Sequence, residues 1–345
     1  MTSLSFAATT LIALILAFPR LVNASPTPPA PQAATAAELG STTADTDNYP
    51  SRPLTLIVTF PPGGGTDLLA RRLAERLSPL LGQNIVVENR TGASGNIGAL
   101  AVARARADGH TLLVANSSYA INPAVYRNLE FSPRDDLTGV INVAFVPSVL
   151  VTAAKGPWQN LTQALTPRGG GLPPPAYASC GNGTPQHLAG EMLMQRTQAG
   201  WLHVPYRGCG PALVDVAAGN VALGFVTASS ALPLLRAGNL RALAVTAPER
   251  SPLLPQVPTI AELGHPGYAL NQWHGLLAPA ATPPARIERL NQALHTVMQQ
   301  ADLLEGLRAL GYDTTASTPE EFQKLIHEDI DRYSALADAI GLRMN

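Results

Sequence analysis

The chemistry this sequence offers sits in three glycine-rich turns. They are Gly63-Gly64-Gly65-Thr66-Asp67, Gly181-Asn182-Gly183-Thr184 and Gly208-Cys209-Gly210. Each follows a short apolar run and precedes a stretch with helical spacing. Glycine lets the backbone approach a ligand closely, and the free N–H groups of the following helix point at it. The helix dipole adds about half a positive charge there. The resulting chemistry is anion binding without cationic side chains, which suits a chain whose only lysines are Lys155 and Lys324. Nucleotide motifs fail: Gln186 stands where a dinucleotide fingerprint needs its third glycine, and the first loop lacks the Lys-Ser/Thr pair of a P-loop.

Catalytic constellations are thin. The sequence has no Gly-x-Ser-x-Gly, His-Glu-x-x-His or Cys-x-x-Cys. Its histidines (His110, His187, His203, His265, His274, His295 and His327) are scattered without ligand spacing, so neither a metal nor a cofactor is expected. His187 falls on the first turn after the second loop, where it touches a ligand, caps the helix or lies on the surface. Asp67 opens the first helix, either as a favourable helix-start charge or to orient a ligand's polar group. Cys180 and Cys209 are the only cysteines, one in each later loop. In an oxidising compartment they form a disulfide that stiffens the site if the loops are neighbours, or remain two separate buried thiols.

The elements that must hold these loops alternate strand and helix. Residues 54–60 read as a buried parallel strand, 68–80 as a helix, 85–87 as a strand, 97–106 as a helix and 111–115 as a strand. Residues 140–152 are a long apolar stretch broken by Pro147. The cycle restarts with strand 177–179, helix 185–196 opened by proline, strand 203–206, helix 211–218, and strands 223–227 and 240–246. Helices over 284–299 and 319–340 close the chain, the second with strong start signals in Ser317-Thr318-Pro319-Glu320-Glu321. This is an α/β fold with a mostly parallel sheet, and two such units suggest two lobes.

The net charge of −1 excludes the basic footprint nucleic acid requires. Residues 7–18 are apolar but shorter than the ~20 that span a bilayer, and Val22-Asn23-Ala24 fits a cleavage site before Ser25. Residues 1–24 are therefore expected to be a signal peptide, and the protein periplasmic. The absence of Lys and Arg from residues 1–6 departs from that pattern, and a membrane anchor is the alternative. Residues 25–48, rich in Pro, Ala and Thr, are expected to be a disordered linker.

Longer motifs resemble a known family. Phe60-Pro61-Pro62-Gly63-Gly64-Gly65-Thr66-Asp67, Val87-Glu88-Asn89-Arg90-Thr91-Gly92-Ala93-Ser94-Gly95-Asn96-Ile97-Gly98, Asp108-Gly109-His110-Thr111-Leu112-Leu113, His203-Val204-Pro205-Tyr206-Arg207-Gly208 and Trp273-His274-Gly275-Leu276-Leu277-Ala278-Pro279 resemble the substrate-binding proteins of tripartite tricarboxylate transporters, the Bug or TctC-like family. The resemblance spans residues 49–341. It implies a two-lobed periplasmic-binding-protein fold (type II, Venus-flytrap) with two crossover segments. Lobe 1 would be 49–147 and 275–345, and lobe 2 would be 148–274. It implies a small carboxylate ligand (a dicarboxylate, amino acid or aromatic acid), held by Gly64, Gly65, Thr66, Asp67, Asn116 and Ser117 from one lobe. The other lobe would supply Gly181, Gly183, Thr184, His187, Tyr206 and Thr227. Membrane permease subunits or a sensor domain would be the partners of a monomeric clamp that needs no cofactor. Thr59 and Thr91 stand where the family usually has proline, Arg207 where lysine is common, and Cys180 and Cys209 replace small residues. The competing readings are an exported hydrolase using Asp67 or His187 as a general base, and a structural surface protein, which the lack of repeats disfavours.

Overall fold

The computed structural model describes residues 48–166 and 173–342. The expected signal peptide and the linker up to residue 47 lie outside the described residues. The first strand, β1 (Leu54–Val58), is apolar but for the half-buried Thr55, because both of its faces are covered. Leu54, Leu56 and Val58 share a core with Leu69, Leu73 and Leu77 of helix α1 (Gly65–Leu81). Ile57 turns to the opposite face, with Ala99 and Val102 of α2 (Asn96–Ala103). Strands β2 (Ile85–Asn89) and β3 (Thr111–Asn116) run parallel to β1 on its two sides. Helix α3 (Ser118–Val125) follows.

The next strand joins everything else. β4 (Leu137–Ala153) is 17 residues long and runs unbroken through Pro147, where the sequence predicted a break. The proline falls where the strand changes partners, so its missing N–H is lost at the end of one ladder and not in the middle. Beyond it come α4 (Leu161–Leu165), β5 (Ala176–Ser179), α5 (Pro185–Thr197), β6 (Leu202–Pro205), α6 (Cys209–Ala218), β7 (Leu223–Thr227), α7 (Ala228–Arg236) and β8 (Leu240–Val245). β5 is parallel to β6 and β7, while β7 and β8 both run antiparallel to the stretch of β4 after Pro147. β9 (Asn271–Pro279) then returns and inserts antiparallel between β3 and the first half of β4. The chain ends with α8 (Pro284–Val297), α9 (Ala301–Ala309), β10 (Asp313–Thr314) and α10 (Pro319–Ile340). The sheet is therefore mixed and not mostly parallel: each βαβ unit is parallel, but β9 runs against the first and β4 against the second.

Helix α10 locks the returning strand in place. Its start is fixed by a capping box, with Thr318 Oγ1 accepting from the Glu321 N–H and the Glu321 carboxylate accepting from the Thr318 N–H. Trp273 Nε1 of β9 donates to Asp329 Oδ2 at 3.0 Å in the interior. Burial raises the Asp329 carboxyl above its usual range, against the opposing pull of Arg332. Phe322 lies directly over Gly275, where an added methyl group would meet its ring and sit 2.7 Å from the Ile141 carbonyl oxygen. Gly275→Ala is expected to destabilise the protein by about 1–3 kcal/mol through this overpacking. Urea denaturation checks it, and unchanged stability would show that the contact between α10 and β9 is slack.

Candidate functional site

The loops after β1 and β6 bring two helix starts to one cavity of about 330 Å³. The N-cap residue of α1 is Gly64 and that of α6 is Gly208, and neither helix start has a side-chain cap. A helix start leaves its first N–H groups without intrahelical partners, so both helices present donors and positive dipole ends to the same space. The neighbouring helix starts of α5 and α7 are closed by their own side chains. Thr184 Oγ1 accepts from the His187 N–H at the start of α5, and Thr227 Oγ1 accepts from the Ser230 N–H at the start of α7. A Cβ at residue 65 would lie 2.9 Å from the Tyr312 hydroxyl and 3.0 Å from Ser229 Oγ, both ends of side chains that line the cavity.

A disulfide joins Cys180, just past β5, to Cys209, the first residue of α6, with Cα atoms 4.3 Å apart. Both cysteines line the cavity. The bridge ties the uncapped start of α6 to the adjacent loop, as does the bond from the Gly208 N–H to the Cys180 carbonyl at 3.0 Å. The floor is neutral and polar, formed by Asn116, Gln186, Gln272, His274 and Tyr312. Burial pushes His274 down to about 3, so its ring is uncharged at neutral pH. Among the described residues lining the cavity, Arg207 is the one charged side chain, and it is solvent-exposed.

Of the ligand-binding residues expected from sequence, Gly64, Gly65, Thr66, Asn116 and Thr227 line this cavity, and the other seven do not. Asp67 is turned away, accepting from the Gly63 N–H, Asn89 Nδ2 and Arg71 Nε at 2.9–3.1 Å. Burial alone would raise its carboxyl, but these three partners hold it below the usual range. Ser117 is fully buried and clasps β9, its hydroxyl accepting from the Trp273 N–H at 2.9 Å. Tyr206 donates to Asp215 at 2.5 Å on the flank of α6. The loop of Gly181, Gly183 and Thr184 is bonded within itself and across to the first half of the chain. Thr184 Oγ1 donates to the Gly181 carbonyl at 2.6 Å, and the Asn182 carbonyl accepts from the hydroxyls of Ser94 and Tyr126. His187 Nδ1 accepts from the Gly183 N–H at 3.2 Å. Sequence reasoning missed Gln272 and Tyr312 and gave His274 no role, because a strand and a turn distant in sequence deliver them. Gln186 and Arg207 were noticed only as departures from motifs.

Comparison with known proteins places this arrangement. Residues 69–342 match the family model described as the tripartite tricarboxylate transporter family receptor (TctC). The chain belongs to this family. BugT of Bordetella pertussis is 37% identical over 300 residues, covering 86% of this chain and 92% of that protein. A Rhodopseudomonas palustris protein solved with adipate is 34% identical, with a TM-score of 0.80 over 86% of this chain and 100% of the other. MatC from Rhodopseudomonas palustris with bound malate is 30% identical, with a TM-score of 0.77 over 84% of this chain and 99% of the other. The fold of this TctC-family receptor is that of a periplasmic binding protein.

One cluster in the receptor was not foreseen from histidine spacing. His187, Glu191 and His203 each place a donor atom within 4.8 Å of the others. The two rings stack face to face at 3.9 Å and 11°, so their in-plane lone pairs lie in separate layers and one ion would reach both only after a ring turned. Burial pushes His187 down to about 3, helped by its neighbour His203, and burial pushes His203 to about 4. With His274, three rings are thus held neutral, whereas in the unfolded chain histidine titrates near pH 6.5. Between about pH 6.5 and 4 the unfolded chain binds protons that the folded chain refuses, so stability falls as pH falls through that window. The urea midpoint is expected to be flat from pH 8 to 7 and to drop steadily below pH 6.5. A midpoint that rises on acidification would contradict the buried neutral histidines.

Proposed function

We propose that this receptor is a two-lobed clamp for a small carboxylate, with lobe 1 formed by residues 49–147 and 275–345 and lobe 2 by 148–274. The observation that carries the proposal is the pair of uncapped helix starts, those of α1 and α6, at one small cavity. Such termini hold an anion without a lysine, and hydrogen bonds to a charged group are about twice as strong as neutral ones. A cavity near 330 Å³ suits an acid of the size of the adipate and malate found in the two R. palustris relatives. The ligand enters between the lobes, its carboxylate takes donors from both, and hinge closure at the crossover segments buries it. The clamp performs no chemistry and needs no cofactor. Asp67 and His187, the bases a hydrolase would need, lie off the cavity lining. The protein acts as a periplasmic monomer, delivered there by the signal peptide of residues 1–24. Its closed form is what membrane permease subunits, or a sensor domain, recognise.

A thermal-shift panel of mono-, di- and tricarboxylates, paired with native mass spectrometry of the purified protein, tests this. At a hundredfold excess over its dissociation constant, a cognate acid adds about 2.7 kcal/mol, which raises the melting temperature by about 5 °C. Gly65→Val is expected to fold and yet lose this shift, because its side chain would occupy the space between Tyr312 and Ser229. No shift with any acid, or an unchanged shift in Gly65→Val, would sink the proposal.

A further inference from the structure

The floor of the cavity contains an amide whose hydrogen bonds are incomplete. Gln186 Nε2, on the first turn of α5, donates to Ser148 Oγ at 2.8 Å and to Gln272 Oε1 at 3.0 Å. Both hydrogens of that amide are thereby used, one of them on the Gln272 oxygen. Gln272 is 1% exposed, and its Nε2 has no hydrogen-bond partner among the described residues. Nearby on the same strand, His274 is equally buried, and its Nδ1 also has no partner among the described residues. Both side chains line the cavity. An unmet buried donor is costly to a fold, and native structures that retain one call for an explanation such as a ligand. The position has a further property. Gln272 pairs with Val146 across the β4–β9 ladder, one residue before Pro147, while Ser148 is the first residue of β4 to pair with β7. The Gln272–Gln186–Ser148 chain therefore straddles the point where β4 changes partners.

We propose that Gln272 reads the far end of the ligand, its Nε2 donating to a second oxygen acceptor while the first carboxylate sits at the starts of α1 and α6. This rests on the proposed carboxylate function and narrows it to acids with an oxygen at both ends. The floor is neutral, so the far oxygen is met by donors and not by a cation, and an acid with an apolar far end leaves the Gln272 amide unmet. The same bond sets Gln272 against Gln186, so filling the floor also tightens the junction between the two parts of β4.

The test is calorimetric titration of adipate and of hexanoate, which has the same chain length but a methyl far end, into the wild-type protein and Gln272→Leu. Adipate is expected to bind the wild type at least tenfold more tightly than hexanoate. Gln272→Leu is expected to weaken adipate by about tenfold, the loss of one hydrogen bond to a charged group, and to leave hexanoate within twofold. Equal losses for both acids, or no loss for either, would overturn the assignment while leaving the carboxylate clamp intact. Failure of the wild type to bind any acid would overturn the clamp and this inference together. If Gln272→Leu does not fold, Gln272→Glu preserves the side-chain length and sets a carboxylate against the far oxygen. Adipate binding should then fall by more than tenfold with hexanoate spared, and equal effects on the two would again overturn the proposal.

Discussion

A helix that begins at glycine has nothing of its own to offer its first N–H groups, and the site depends on that deficit. Gly64 and Gly208 leave α1 and α6 open, whereas Thr184 and Thr227 close α5 and α7 with their own hydroxyls. The difference divides four similar-looking turns into two that face the cavity with free donors and two that stabilise themselves. Side-chain caps of the threonine kind are worth about 1 kcal/mol each, so leaving two helices open costs stability that an anion can return. The same arrangement accounts for how little positive charge the site contains: Arg207 is the one charged lining residue among those described, and it lies on the surface.

Donors on two helices make one site only if the helices are held together, and β4 does this. One strand pairs with β9 up to Pro147 and with β7 and β8 after it, so both parts of the sheet are anchored to one continuous backbone. β9 provides the return path and carries Gln272 and His274 to the floor. The Cys180–Cys209 disulfide holds the start of α6 against the neighbouring loop. The Ser94 and Tyr126 hydroxyls bond the Asn182 carbonyl from the opposite side. The disulfide ties the start of α6 to the loop after β5, and the hydroxyl bonds tie the next residues of that loop to the first part of the chain.

Much of this was legible because local rules agree with the fold. The apolar runs of β1, β3 and β7, the proline-opened α5, and α10 with its capping box announce themselves within a few residues. Short elements did not: α3, α7 and α9 were not assigned, and β9 lacks a strand signature because its polar start is stabilised by partners far away in sequence. The site was half legible for the same reason. A glycine-rich turn shows that the backbone can be approached, but not whether the threonine that ends it will take a donor, as Thr184 does. Asp67 illustrates the limit. Its place at a helix start was readable, as was Arg71 one turn on, while its engagement by Asn89 depends on the register between β1 and β2. Gln272 has no local mark at all, since its role comes from Gln186, 86 residues earlier.

The central claim concerns backbone N–H groups, and an amide-resolved nuclear magnetic resonance titration with adipate reads them directly. The account predicts downfield shifts and slowed hydrogen exchange for the amides of Gly65, Thr66, Cys209 and Gly210, with those of His187 and Ser230 little changed behind their threonine caps. Perturbation centred on His187 and Ser230, with the starts of α1 and α6 silent, would contradict it.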